Sequence, residues 1–286
     1  MKIAIASGKG GTGKTMVSTS LAASLAEDTP VTFLDADVEA PNAHLFLKPN
    51  YTDTEPVEIL IPEINPDRCT RCGKCVEVCQ YNAIAKIGSQ MMVFPQLCHA
   101  CGSCGLVCPE DAIQEVGRPI GALQCGPTNN GIAFHTGELA IGEPMPTPVI
   151  RALKKTAPKG DALTIIDCPP GASCSVVTAI HDADFVLLVT EPTPFGWHDL
   201  QQMLGVLEQT GTPAGIIINR DGLGDPAIEA QLEALSTPIL MRIPFQEEIA
   251  ARLARGDLLT EILPEYQSAF HSLYAQIIDL TERSAA

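Results

Sequence analysis

Short apolar runs, most of them closed by a small, acidic or amide residue, alternate with stretches of helical spacing over much of this 286-residue chain. Lys2 to Ala6 reads as a short β-prone run and Met16 to Ala26, rich in small residues, as a helix. Val31 to Asp37 reads as a strand ending in two aspartates, Leu163 to Asp167 as a buried strand ending in one, and Phe185 to Thr190 as another apolar strand. Ile216 to Arg220 closes a further strand, and residues 239–243 form the last. Gly131 to Phe134 and Glu138 to Ile141, separated by His135-Thr136-Gly137, predict a hairpin. Phe270 to Thr281 has apolar positions at helical spacing without clustered Lys or Arg at its flanks, so it is expected to dock on the protein's own sheet. The alternation over 1–50 and 150–286 predicts an α/β fold with a doubly wound, mostly parallel sheet, whose ligand belongs at the carboxyl ends of the strands.

Composition narrows the function. A formal charge of −16 with 18 Lys plus Arg excludes nucleic acid as the expected partner, because phosphate contacts need clustered cations. An anionic membrane surface is disfavoured for the same reason. No run reaches the roughly 18 to 20 apolar residues of a membrane span, and the chain enters its first motif at once, so an unprocessed, cytoplasmic protein with no stable membrane insertion is expected.

That first motif is Gly8-Lys9-Gly10-Gly11-Thr12-Gly13-Lys14-Thr15, set between a predicted strand and a predicted helix. The order strand, Gly-rich loop, helix is the context of a Walker A phosphate loop. Its backbone N–H groups and the helix N-terminus cradle phosphates, and its glycines permit close approach. Lys14 is the candidate for the β- and γ-phosphates and Thr15 for Mg²⁺; Gly8, Gly10, Gly11, Thr12, Gly13 and Met16 complete the predicted ATP-binding segment.

The lysine at position 9 makes the loop resemble the deviant Walker A of the MinD/Mrp/nitrogenase-iron-protein class of P-loop ATPases. The resemblance implies that Lys9 reaches across an ATP-dependent homodimer to the partner's phosphates. It also implies that Asp37 positions the attacking water and Asp35 supports the metal, although the two aspartates could exchange these jobs. Asp167, followed by Cys168-Pro169-Pro170-Gly171, resembles Walker B with switch II, with Asp167 on Mg²⁺ through water and the Gly171 N–H sensing the γ-phosphate. Glu191 to Gly196 resembles a loop packing near the nucleotide. By the same resemblance Asn219 reads the adenine ring, and the turn at Pro244 contributes backbone contacts to it.

Eight of the eleven cysteines lie between Cys69 and Cys108 in two C-x₂-C-x₂-C-x₃-C runs, repeated at a spacing of 29 residues. Such runs wrap iron–sulfur cubes in bacterial-type ferredoxins, the fourth cysteine of each crossing to the other cluster. One [4Fe–4S] cluster is therefore assigned to Cys69, Cys72, Cys75 and Cys108, and a second to Cys79, Cys98, Cys101 and Cys104. Pro109 follows Cys108 as usual in such runs, whereas Gln80 follows Cys79. Structural zinc is the competing reading, but its sites are more often built from two separated pairs. His99 is expected to be exposed, and Cys125 and Cys174 to be buried bystanders. The predicted organisation is an ATPase domain, 1–62 and 117–286, interrupted by a ferredoxin-like α+β domain, 63–116, with Pro-rich boundaries at 62–66 and 117–119.

The cofactors expected are ATP, Mg²⁺ and two [4Fe–4S] clusters. The functional expectation is a slow ATPase, dimeric with nucleotide, that couples its nucleotide state to electron transfer or metal-cluster assembly on a redox or metallocluster client. The alternative is a MinD-like spatial regulator of cell division or of a protein assembly with structural or sensing clusters; a third reading is a docking protein without turnover.

Overall fold

The computed structural model describes residues 1–158 and 162–285. Its strands are β1 (Lys2–Ala6), β2 (Val31–Asp35), β3 (Asp53–Ile64), β4 (Ile84–Ile87), β5 (Gln90–Val93), β6 (Ile113–Pro127), β7 (Ala133–Leu139), β8 (Leu163–Asp167), β9 (Phe185–Thr190), β10 (Ala214–Asp221) and β11 (Ile239–Pro244). Its helices are α1 (Lys14–Leu25), α2 (His44–Leu47), α3 (Lys74–Val78), α4 (Ser103–Leu106), α5 (Thr147–Lys154), α6 (Cys174–Ile180), α7 (Pro194–Thr210), α8 (Pro226–Glu233), α9 (Glu247–Leu253), α10 (Leu259–Ile262) and α11 (Glu265–Ala285).

Nine strands form one sheet in the order β11-β10-β9-β1-β8-β2-β7-β6-β3. From β11 to β7 every pairing is parallel, and β6 and β3 add on antiparallel at one end. Helices cover both faces of the parallel part, which is why β2, β8 and β9 are unbroken apolar runs that bury every residue. The chain leaves β1 towards β2 on one side and returns from β8 to β9 on the other, so the switch in strand order falls at β1.

Helix α1 is buried almost all round because Ser18, Ser20, Ala22, Ala23 and Ser24 are small enough to be enclosed. Ser20 Oγ accepts the Leu259 N–H at 3.0 Å, tying α1 to α10. The apolar stripe of α11, Phe270, Leu273 and Ile277, is fully buried in the core that also holds Leu21 and Leu25. It docks mainly on α1, with β11 alongside, rather than on the sheet alone. No helix among the described residues is long and apolar enough to cross a membrane.

One expectation is corrected. The segment 131–141 is no hairpin: His135, Thr136 and Gly137 continue straight through β7, parallel to β2 and antiparallel to β6. Gly137 is there for space, since a Cβ would lie 2.9 Å from Val38 and 3.0 Å from Val149. At the expected Pro-rich boundaries, Pro62 pairs with Glu115 and Pro119 with Glu58 inside a long β3–β6 ribbon. The ribbon tolerates them because β3 is the edge of the sheet and Pro119 lies beyond the reach of β7, next to a register shift that leaves Ile120 unpaired with β3. Residues between β3 and β6 carry eight of the eleven cysteines, helices α3 and α4, and the two-stranded β4–β5 sheet.

Candidate functional site

A cavity of about 410 Å³ opens at the carboxyl ends of β1, β2, β10 and β11. Lys9, Gly10, Gly11, Gly13, Lys14, Thr15 and Met16 of the glycine loop line it, with Asp37 opposite. Gly11 and Gly13 have φ of 79° and 94°, the left-handed region that turns the loop into α1. At Gly13 the glycine is also forced by contact, since a Cβ would lie 2.3 Å from Asn219 Nδ2. Gly8 and Thr12 do not line the cavity. Gly8 packs against α7, where a Cβ would meet Asp199 at 2.5 Å, and Thr12 is buried with its hydroxyl unpartnered.

Lys14 donates to Asp167 Oδ1 at 2.9 Å, both side chains being buried. Burial opposes the Lys14 charge, but Asp167 outweighs it through charge and hydrogen bond, and the ammonium pKa lies above its ordinary value. Asp167 Oδ2 has no hydrogen-bond partner and is buried. Such an orphaned carboxylate oxygen beside Lys14 fits a hydrated Mg²⁺, and Thr15 of the loop lines the cavity.

The two aspartates after β2 are now distinguished. Asp35 is fully buried and its carboxylate accepts the backbone N–H groups of Asn42 (3.1 Å) and Ala43 (3.0 Å), so it braces the loop that follows. Burial, then the charge of Asp167, raises its pKa. Asp37 faces the cavity, and burial, with Asp167 and Glu39 nearby, raises its pKa to about 6 against the pull of Lys14.

Several expected ligands are occupied within the chain. Lys9 forms an ion pair with Glu191, which is buried and also holds Arg220 at 2.8 Å. Arg220 in turn donates to the Gly11 carbonyl at 3.1 Å. The Gly171 N–H donates to the Ser7 carbonyl at 2.9 Å. Asn219 lines the cavity, but its Nδ2 donates to the Thr12 carbonyl at 2.7 Å and its Oδ1 accepts the Arg220 N–H. Pro244 lines the cavity as expected, joined by an apolar wall of Phe46, Phe245, Ile249 and Leu253. That wall was not legible in the sequence, because its members come from α2, the turn after β11, and α9.

The cysteines fall into two groups. Cys69, Cys72, Cys75 and Cys108 line one cavity, and Cys79, Cys98, Cys101 and Cys104 line another. The backbone around them is duplicated with the same spacing of 29 residues: φ is positive at Arg71 and Ala100, at Gly73 and Gly102, and at Asn82 and Asp111. The N–H groups of Ala83 and Ala112 donate to Cys79 Sγ and Cys108 Sγ, each at 3.3 Å. Positive φ at Arg71 and Ala100 costs of order 1–3 kcal/mol for each non-glycine residue, and such turns direct N–H groups inward to hold anions. Burial first, then neighbouring cysteines, raises the thiol pKa of Cys75 and Cys104. Among the described residues no three His, Cys, Asp or Glu side chains converge as on a single metal ion.

The remaining cysteines differ from expectation. Cys174 is exposed at the start of α6 and Cys125 is only partly buried, whereas Cys168, beside Asp167, is fully buried with its pKa pushed up to about 12 by that burial. His99 is exposed as expected and stacks on Tyr81, ring centroids 3.6 Å apart.

A glycine loop between β1 and α1, a buried lysine–aspartate pair and a cavity at the switch of a doubly wound sheet define a P-loop nucleotide-binding protein. Residues 3–259 match the family model of the CobQ/CobB/MinD/ParA nucleotide binding domain, and the chain belongs to that family. It is 35% identical over 283 residues to the uncharacterized protein MJ0578 of Methanocaldococcus jannaschii, covering 97% of this chain and 96% of that one. It is 27% identical over 274 residues to the uncharacterized ATP-binding protein MJ0547 of the same organism, covering 93% of this chain and 83% of that one. Among solved structures, the septum site-determining protein MinD with Mg-ADP from Pyrococcus horikoshii superposes with a TM-score of 0.58 at 21% identity, covering 99% of this chain and 98% of that one. The ATP complex of a Cyanothece McdA variant gives 0.55 at 20%, covering 98% and 96%. At these identities the likeness is one of fold.

Proposed function

We propose that this protein is a slow Mg²⁺-dependent ATPase, dimeric with ATP, that carries two [4Fe–4S] clusters and couples its nucleotide state to electron transfer or cluster assembly on a client protein. The observation that carries the iron–sulfur part is the crosswise grouping of eight cysteines around two cavities within a duplicated, left-handed backbone. The glycine loop and the α1 N-terminus bind the phosphates. Lys14, drawn from Asp167, takes the β- and γ-phosphate charge, while Thr15 and Asp167 Oδ2 hold the metal and Asp37 orients water. When bound, Mg²⁺ offsets phosphate charge and each cluster stores and passes single electrons. Lys9 reaches a partner's phosphates only after leaving Glu191, so dimerisation and opening of that pair go together.

Coupling has a physical route, because the loop carrying Asp37 runs on through α2 into β3, and β3 leads directly to the cysteines. The test is anaerobic purification with iron and sulfide analysis, followed by cluster potentials measured with ADP and with a non-hydrolysable ATP analogue. About eight irons per chain are expected, with potentials that differ between the nucleotides. Stoichiometric zinc in place of iron overturns the cluster assignment. Eight irons with identical potentials overturn the coupling and leave the spatial-regulator alternative.

A further inference from the structure

Glu191 holds two cations where one would neutralise it. Its side chain, only 5% exposed, directly follows β9, and Gly196 near the start of α7 lies so close that a Cβ there would stand 3.1 Å from Glu191 Cγ. One carboxylate oxygen, Oε1, accepts from Lys9 Nζ, and the other, Oε2, accepts from Arg220 Nη1 at 2.8 Å. A buried carboxylate stripped of its only partner is strongly destabilising. The second cation removes that obstacle, since one can leave while the other keeps the charge paired.

The two cations are held differently. Arg220 is anchored at three points: Nη1 on Glu191, Nη2 on the Gly11 carbonyl at 3.1 Å, and its backbone N–H on Asn219 Oδ1 at 2.9 Å. Its φ of 56° is a strained conformation for a residue other than glycine, one that persists only where the surroundings fix it. Lys9 meets Glu191 through a single ammonium on a flexible four-carbon stem. It also stands in a loop whose next two residues are glycines, and a Cβ at Gly10 or Gly11 would meet nothing within 4 Å. Lys9 is therefore the cation that exchanges, and Arg220 the one that stays.

We propose that Arg220 is the positioning residue that makes Lys9 available to a second copy of the chain: it keeps Glu191 paired when Lys9 departs, and through Gly11 it steadies the phosphate loop meanwhile. The inference rests on the reading of Lys9 and the ATP-dependent dimer given above, and adds the group that lets the Lys9–Glu191 pair open. Without Arg220, Lys9 is the only one of the two cations left on a buried carboxylate, and the pair stays shut. Without the carboxylate, neither cation is held, and Lys9 is released in every chain. Position 220 therefore matters to dimerisation only while position 191 is acidic.

The experiment is sedimentation velocity of the whole anaerobic protein with Mg²⁺ and a saturating non-hydrolysable ATP analogue, nucleotide occupancy being measured for every variant. Arg220→Gln should weaken the dimer by at least about tenfold. Arg220→Lys, which keeps a positive charge for Glu191, should weaken it far less, and Glu191→Gln should tighten it. The double variant Glu191→Gln/Arg220→Gln should dimerise like Glu191→Gln, a suppression that a merely structural role for Arg220 does not produce. An Arg220→Gln protein that dimerises like wild type overturns the proposal, and so does a defect that adding Glu191→Gln leaves in place. Should Arg220→Gln fail to fold or to take up nucleotide, Arg220→Lys and Glu191→Gln decide: a dimer tenfold weaker in the first, or unchanged in the second, overturns it. Lys9→Ala separates this inference from the reading beneath it. A wild-type chain that stays monomeric with the analogue, or a Lys9→Ala chain that dimerises like wild type, overturns that reading and this inference with it.

Discussion

Asp37 is a carboxylate whose charge is opposed chiefly by burial. With its folded pKa at about 6 and an unfolded value of about 3.9, the folded state keeps the proton between those limits while the unfolded chain releases it. Stability therefore falls as pH rises through that window. Asp37→Asn removes the contribution: calorimetry without nucleotide should show the variant melting above wild type at pH 7 and level with it near pH 4. A constant offset at all pH values would show that Asp37 is not the group responsible. The motif marks Lys14 as the phosphate-binding candidate, but its partner within the chain, Asp167, lies 153 positions away and only the pairing of β1 with β8 brings them together.

At the scale of elements, the parallel strands were legible because burial on both faces leaves unbroken apolar runs. The β3–β6 ribbon was not, because its sequence carries prolines and glycines that usually mark turns and glutamates that are depleted in strands. Those residues are tolerated at an edge strand and beside a bulge, a circumstance set by neighbours distant in sequence. The misread turn at Gly137 has the same origin, and it yields a prediction. Gly137→Val should destabilise the protein by about 1–3 kcal/mol in urea unfolding, the usual effect of overpacking, since the added atoms meet Val38 and Val149. Val38 adjoins Asp37, so ATP affinity should fall with stability; unchanged stability would mean that the strand has room the observed packing denies.

Across the whole molecule, two kinds of stability coexist. The nine-stranded sheet is supported by extensive apolar burial on both faces, from Phe33 and Phe134 on one to Ile120 and Ile166 on the other. The segment between β3 and β6 buries few apolar side chains, Ala83, Ile84 and Ala112 among them. If metal centres supply what that small core lacks, stripping iron anaerobically should raise hydrogen exchange across 65–112 while β1, β8 and β9 stay protected. Unchanged exchange in the segment would show that it folds without metal.

The sequence by itself determined the glycine loop and its lysine, the run of parallel strands, and the doubled cysteine pattern, because each depends on local spacing and the fixed geometry of strand, loop and helix. Only the tertiary structure decided which aspartate faces the cavity, that Lys9 is paired with Glu191, that the ribbon extends the sheet, and that Cys98 of one cysteine group is buried in the apolar core. These are contacts between residues tens to hundreds of positions apart, and their energies come from burial and charge pairing that no local pattern encodes.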